Sequence, residues 1–364
     1  VLLNAKEGRL YPIYWSSNHL KAETETNFRL PAILYGNQVR EALSTLTAQI
    51  SSHPDNSPLH PLILPNSKDT LPEALTHLAG VILSCPAFAP DTYRLPLQEA
   101  VLEAQLVKQT EQIFWLETAI ATLLSHGDIK ADCPVSPGLT LVIQAGATTT
   151  EFALVTIPDK LQSLAHTDFC LHSMAYGGNH LDQDILCQLL YPQWVSQLQP
   201  FLPPLDEELP EPGKPDLPRR HTLSLRLQSH PIGHAFLEAG KLVKLILQEE
   251  AELTSHLGNQ PWSVKRQALE AEVIKPLLRQ WNDEIDSLLT QSGNTKKAIG
   301  QIICSGGTTL ALGRALSAWL TDQFPQATLI QSIEEGIATD VAFGLARLPL
   351  FPKLGRFLVS RAQS

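Results

Sequence analysis

Two strand-like runs, at residues 139–143 and 151–157, flank the stretch Gln144-Ala145-Gly146-Ala147-Thr148-Thr149-Thr150. Aliphatic, aromatic and β-branched side chains fill both runs, and the small, hydroxylated residues between them suit a tight tip, so the pattern predicts a β-hairpin. A tip of Gly, Ala and Thr presents backbone N–H and hydroxyl groups at close range and can cradle a phosphate. Further on, a short apolar run at 301–304 leads into Ser305-Gly306-Gly307-Thr308-Thr309 and a helical pattern over 310–324. Strand, Gly-rich turn and helix in that order form the phosphate- or nucleoside-facing unit of α/β folds. The chain is therefore expected to be α/β.

The other elements follow from periodicity and breakers. Residues 10–15 and 32–34 are short extended candidates, and 39–50 is helical. Val81-Ile82-Leu83-Ser84-Cys85, closed by Pro86, suits a strand buried on both faces. Residues 97–125 are helix-forming, with a β-rich interruption at Ile113-Phe114-Trp115. Helices are expected over 181–190, 235–257 and 264–291. The Pro-rich stretch 199–220, with Asp206-Glu207-Glu208, has the composition of an exposed excursion.

With 364 residues, 43% of them hydrophobic, the chain can bury more than one small core, and two lobes are the natural expectation. A net charge of -10 without any dense Lys/Arg run argues against nucleic acid as a partner. Cys85, Cys133, Cys170, Cys187 and Cys304 are scattered without a CxxC pair, which suits a reducing, cytoplasmic setting. No apolar run is long enough to span a bilayer, and no basic segment followed by an apolar one opens the chain. His166, Cys170, His172 and His180 are close in sequence, but their spacing fits no usual ligand set, so no metal site is expected. There is no Gly-x-Ser-x-Gly, His-Glu-x-x-His or Walker-type loop.

Five segments, in order, resemble the nucleotide-binding domain of DnaK-type heat-shock chaperones, a branch of the actin and hexokinase superfamily. Ser84-Cys85-Pro86-Ala87-Phe88 is similar to the family's Val-Pro-Ala-Tyr-Phe turn, and Tyr93-Arg94 and Leu116-Glu117-Thr118-Ala119-Ile120-Ala121 extend that match. The hairpin at 143–152 is the second segment. Tyr176-Gly177-Gly178-Asn179-His180-Leu181-Asp182 resembles Gly-Gly-x-x-Phe-Asp, and Glu238-Ala239-Gly240-Lys241 resembles the Glu-x-x-Lys of the helix that walls the adenosine pocket. Ser305-Gly306-Gly307-Thr308-Thr309, paired with Val341-Ala342-Phe343-Gly344-Leu345-Ala346, resembles the adenosine loop and closing helix.

The resemblance implies an actin-like two-lobed fold, each lobe a mixed β-sheet flanked by helices, with a nucleotide cleft between the lobes. Lobe I would comprise 1–137 and 334–364, with a reduced smaller subdomain within about 16–75. Lobe II would comprise 138–333, with the insertion 199–220 and a helical subdomain at about 235–298. Adenosine would sit between Glu238/Lys241 and Gly306-Gly307-Thr308, its phosphates directed toward Gly146, Thr148, Thr149, Gly177 and Gly178. Glu117 falls on the family's water-positioning glutamate, although an acid at a helix start is also favoured by the helix dipole.

The departures bear on chemistry. Gln144 and Ala147-Thr148 stand where the family's Asp-Leu-Gly-Gly-Gly-Thr loop has its aspartate and two glycines. An amide cannot supply the anionic charge that magnesium normally receives, and added side chains crowd a backbone meant to approach phosphate. Over residues 1–60 the sole aspartate is Asp55, and between Leu30 and Gly80 the sole lysine is Lys68. The family's first phosphate loop is thus expected upstream of Val1 or not at all, and its catalytic lysine has no match. The tail 349–364 is too short for a peptide-binding domain.

These departures predict a DnaK-like domain that binds ATP or ADP weakly or not at all. Magnesium affinity would be weakened, hydrolysis would suffer more than docking, and the domain would act through other proteins. Two alternatives stay open: a slow ATP-hydrolysing chaperone with its first phosphate loop before Val1, and a cytoskeletal relative of the FtsA or MreB kind.

Overall fold

The computed structural model describes residues 2–4, 9–11, 78–127, 135–198, 209–229, 231–257, 260–331 and 337–355. The expected elements at 32–34 and 39–50, together with Asp55, Lys68 and Asp206-Glu207-Glu208, lie outside them, as do residues 12–15 of the first extended candidate. The chain forms two compact units, one of residues 1–142, 155–170 and 330–364 and the other of residues 143–154 and 171–329. Both combine helices with β-sheet, so the protein is mixed α/β.

In the first unit β1 (Leu2–Asn4) pairs antiparallel with β2 (Arg9–Tyr11) and with β3 (Leu78–Cys85). The helix α1 (Asp91–Glu103) carries the chain over to β4 (Ile113–Glu117), which runs parallel to β3 with Val81 opposite Ile113 and Cys85 opposite Glu117. A parallel neighbour requires such a crossover. The continuous apolar run at Val81 marks the strand because it is covered: Val81, Val101, Ala104, Leu106, Val107 and Ile113 form one buried cluster. The helix starts earlier than the sequence pattern suggested, at Asp91, and ends at Glu103. The helix α2 (Thr118–Ser125) follows β4 directly, and Thr118 Oγ1 donates to the Cys85 carbonyl at 3.0 Å, tying the helix start to the end of β3.

A five-stranded mixed sheet has, in spatial order, strands at Thr328–Gln331, Ile299–Ser305, Gly138–Ala145, Thr150–Ile157 and Phe169–Met174. The predicted hairpin is its centre: β5 (Gly138–Ala145) and β6 (Thr150–Ile157) are buried along nearly their whole length. After β7 (Phe169–Met174) comes α3 (Gly178–Ile185), which continues through a π-helical turn, Leu186–Leu190, into α4 (Tyr191–Leu198). The helices α5 (Leu217–Gln228) and α6 (Pro231–Glu249) precede a two-stranded ribbon of β8 (Glu252–Leu257) and β9 (Gln260–Lys265). A short helix α7 (Arg266–Leu269) then passes through a second π-helical turn, Glu270–Ile274, into α8 (Lys275–Ser292). The chain then forms β10 (Ile299–Ser305), α9 (Gly307–Gln323) and β11 (Thr328–Gln331). Trp281 of α8 is fully buried and meets Phe152 of β6 edge-on, with ring centroids 5.9 Å apart. The helix Ile337–Ala346 belongs to the first unit.

Four expectations need correction. The helix expected over 235–257 ends at Glu249, and the one expected from 264 is β-strand until Lys265, because the chain turns back between β8 and β9 with Thr254 opposite Ser263. Gly258-Asn259 is a two-residue hairpin signal that outweighs the helical spacing. The helix expected over 310–324 starts at Gly307 and is interrupted at Gly313, whose φ of 48° and ψ of -123° are non-helical. The excursion assigned to 199–220 ends sooner: α5 opens at Leu217, with Pro in its first turn, and Arg220 is buried. Among the described residues no helix is long and apolar enough to cross a membrane.

Candidate functional site

Within the second unit the hairpin tip is the point of convergence. The Gly146 N–H donates to the Thr149 carbonyl at 2.8 Å and closes the tip. The Gly146 carbonyl accepts from the Gly178 N–H at 2.9 Å and from Thr308 Oγ1 at 2.7 Å, a residue 162 positions away. The Ala147 carbonyl accepts from the Asn179 N–H at 2.8 Å. Thr150 Oγ1 at the start of β6 donates to the Tyr176 carbonyl at 2.7 Å. Gly146, Gly177-Gly178 and Gly306-Gly307-Thr308, singled out from separate parts of the sequence, thus meet in one place.

Two glycines permit the approach. A Cβ on Gly177 would fall 2.5 Å from the Gly146 carbonyl oxygen. Gly306 has φ +100°, and a Cβ there would fall 2.2 Å from the Ala145 carbonyl oxygen. Gly307, by contrast, faces open space, and Ala147 and Thr148 are exposed. Thr149 is half-buried and Gln144 is buried. The inner carbonyls are spent on holding the junction together, while the rim of Ala147, Thr148 and Gly307 is open to a ligand.

Behind this junction lies a buried ionic network. Arg220 Nη2 is 2.8 Å from Asp184 Oδ1, and these side chains are 2% and 0% exposed. Asp184 Oδ2 also accepts from the Tyr176 hydroxyl at 2.7 Å and from the Gly213 N–H at 2.8 Å. Arg220 donates further to the carbonyls of Lys214, at 2.8 Å from Nη2, and His180, at 3.1 Å from Nη1. Burial raises the Asp184 carboxyl above its ordinary range, against the pull of Arg220, and drives the Tyr176 hydroxyl well upward. His180 Nδ1 accepts the Gly177 N–H at 3.1 Å, so the ring must stay neutral to hold the start of α3. Burial, reinforced by Arg220, lowers its pKa from 6.5 to about 4.

The other expected residues are placed differently. Glu238 and Lys241 on α6 pair at 2.7 Å, but they are 65% and 47% exposed, the setting of an ordinary i,i+3 surface pair. One turn further on, Lys244 Nζ lies 2.6 Å from Asp182 Oδ1, and those side chains are only 14% and 5% exposed. Burial raises the Asp182 carboxyl, and Lys244 opposes the rise. Glu117 lies in the first unit at the end of β4, where its buried Oε2 is 3.1 Å from His166 Nε2, and it makes no side-chain cap at the start of α2.

Lys244, Asp184 and Arg220 were missed by sequence reasoning. Lys244 had a signal: it lies four residues past Gly240, which is buried on the same helix face with Val243 and Leu247. Arg220 had none, since Asp184 and His180 are remote from it in sequence. His172 pairs with Glu284 at 2.7 Å. Among the described residues no cluster of three or more His, Cys, Asp or Glu is placed to hold a metal ion. No known family model and no curated protein matches the chain.

Two outcomes follow from the network. Arg220→Met leaves Asp184 as a buried, uncompensated carboxylate and should cost about 3–5 kcal/mol in denaturant unfolding, whereas Arg220→Met combined with Asp184→Asn should cost less. Equal losses would mean that the charge pairing is not what stabilises the packed segment. For His180 the folded pKa is depressed, so between about 6.5 and about 4 the unfolded chain takes up a proton that the folded chain refuses. Its contribution to stability is therefore lost as pH falls through that window, while raised Asp182 and Asp184 act in the opposite sense. From about pH 7 to about pH 5 the melting temperature should fall more steeply in the wild type than in His180→Asn, which keeps an acceptor near Nδ1. Parallel slopes would contradict this.

Proposed function

We propose that the chain is a DnaK-like nucleotide-binding domain with a two-lobed, actin-like arrangement. It takes up ATP or ADP weakly, hydrolyses it poorly if at all, and acts through contacts with other proteins. The observation that carries this proposal is the convergence of three Gly-rich segments on the Gly146 carbonyl, in the order and with the elements that a phosphate-facing hairpin, a helix start and an adenosine-side turn would need. The phosphates would meet the rim of Ala147, Thr148 and Thr149, and the nucleoside would lie along Gly307 toward α6.

Poor hydrolysis follows from charge. Gln144 offers a neutral amide where a magnesium shell is best served by a carboxylate, and the side chains of Ala147 and Thr148 keep the backbone farther from phosphate than glycine would. Docking relies on backbone N–H groups, hydroxyls and shape, and it survives that loss better than transition-state stabilisation does.

Gly307 gives the direct test, because a side chain there meets nothing within 4 Å and the fold should tolerate it. Gly307→Trp should melt near the wild-type temperature yet bind ATP and ADP about tenfold more weakly or not at all by calorimetry. Unchanged affinity would refute this placement of the nucleoside.

A further inference from the structure

The resemblance sets Lys241 beside adenosine and supplies no lysine for the phosphates, yet a second lysine of α6 is well placed for an anion at this junction. Lys241 lies on the outer face of α6, paired with Glu238 in water. Lys244 turns inward: besides its 2.6 Å contact with Asp182, its Nζ lies 3.8 Å from the point where a Cβ on Gly178 would stand. The same point is 3.0 Å from Thr308 Oγ1, which itself donates to the Gly146 carbonyl. Lys244, Gly178, Thr308 and Gly146 therefore occupy one contact shell, contributed by α6, α3, α9 and the hairpin tip.

Gly178 is the first residue of α3, so the ammonium stands near the positive pole of that helix, where a cation is disfavoured and an anion favoured. Asp182 offsets that charge, but it is itself buried, and Glu238 and Lys241 act on it with opposite signs. Lys244 is not sealed in. It also lines a cavity of about 100 Å³ bounded by α6, α7 with its π-helical turn, and the interrupted part of α9.

We propose that Lys244, rather than Lys241, is the cation that meets the phosphate groups of a bound adenine nucleotide, with Asp182 holding the ammonium at the junction until the ligand arrives. This rests on the nucleotide-binding proposal above. On binding, Lys244 shares its N–H donors between Asp182 and a phosphate oxygen, and the charge it brings replaces part of what the missing carboxylate and its magnesium would supply. No bond is made or broken. A lysine suits the task because its three donors rotate on a flexible stem, so it can keep one partner while gaining another.

The test is calorimetric titration of the whole chain with ADP and, separately, with inorganic pyrophosphate. The variants are Lys241→Met, Lys244→Met, and Lys244→Met combined with Asp182→Asn, the last avoiding an orphaned buried carboxylate. Loss of a charge-assisted contact should weaken ADP and pyrophosphate binding about tenfold or more in both Lys244 variants, whereas Lys241→Met should keep pyrophosphate affinity within about twofold of the wild type. In the wild-type chain the side-chain NMR signal of Lys244 should move on adding ADP and also on adding pyrophosphate, a readout that needs no variant to fold. Wild-type ADP affinity in the folded double variant, or a Lys244 signal indifferent to ADP, overturns the Lys244 assignment and leaves the nucleotide proposal standing. Wild-type protein that binds neither ADP nor pyrophosphate overturns both. Pyrophosphate binding without ADP binding overturns the nucleotide as the ligand, and with it this assignment.

Discussion

The second unit depends on one carbonyl group. The oxygen of Gly146 receives the N–H of Gly178 and the hydroxyl of Thr308, and in doing so joins the tip of the central hairpin to the starts of two helices. Such an oxygen can accept two donors, so the junction is saturated rather than strained. Its cost is steric. Backbones this close exclude Cβ atoms at 177 and 306, which explains why glycines stand there more directly than any ligand does. The same glycines would serve a phosphate-binding loop, so packing and the proposed function would make the same demand on these positions.

What keeps α3 in register is the ionic network behind it. Asp184 collects Arg220, Tyr176 and the Gly213 N–H, so a carboxylate with no access to water has its charge balanced by a guanidinium and two further donors. Arg220 in turn binds carbonyls on both sides, at His180 of α3 and Lys214 of the turn before α5. A segment whose composition reads as solvated is thereby fixed against the helix that opens at the junction. Neutral His180 completes the arrangement from within α3 by accepting the Gly177 N–H.

Much of the fold was legible because its signals are local. The hairpin at 138–157 follows from β-branched runs around a small-residue tip, and β3 from an apolar run ended by Pro86. The β8–β9 ribbon was not legible from periodicity, since residues 252–257 continue the apolar spacing of α6 and only Gly258-Asn259 betrays the reversal. The two π-helical turns leave no composition signal, and at the break in α9 only the glycine at 313 marks it. For the candidate site, glycines could be found because close approach demands a particular residue. Charged partners could not, because an ion pair such as Arg220 with Asp184 constrains two distant positions by chemistry that exposed residues share. That Lys241 was legible and Lys244 was not is the same difficulty on a smaller scale: both lie on α6, and only the packing of that helix distinguishes them.

The proposal is that the Gly-rich junction receives a nucleotide and hydrolyses it poorly if at all. Magnesium separates these two properties, since a carboxylate-organised site needs the ion to bind triphosphate well and to cleave it, whereas a site built from backbone donors and a lysine does not. The most direct measurement is a titration of the protein with ATP in the presence of magnesium and again in the presence of a chelator, followed by an assay for released phosphate on the same samples. Measurable affinity that differs little between the two conditions, with no phosphate release above the buffer control, is the predicted result. Binding that vanishes without magnesium, or steady turnover when the ion is present, would contradict the account.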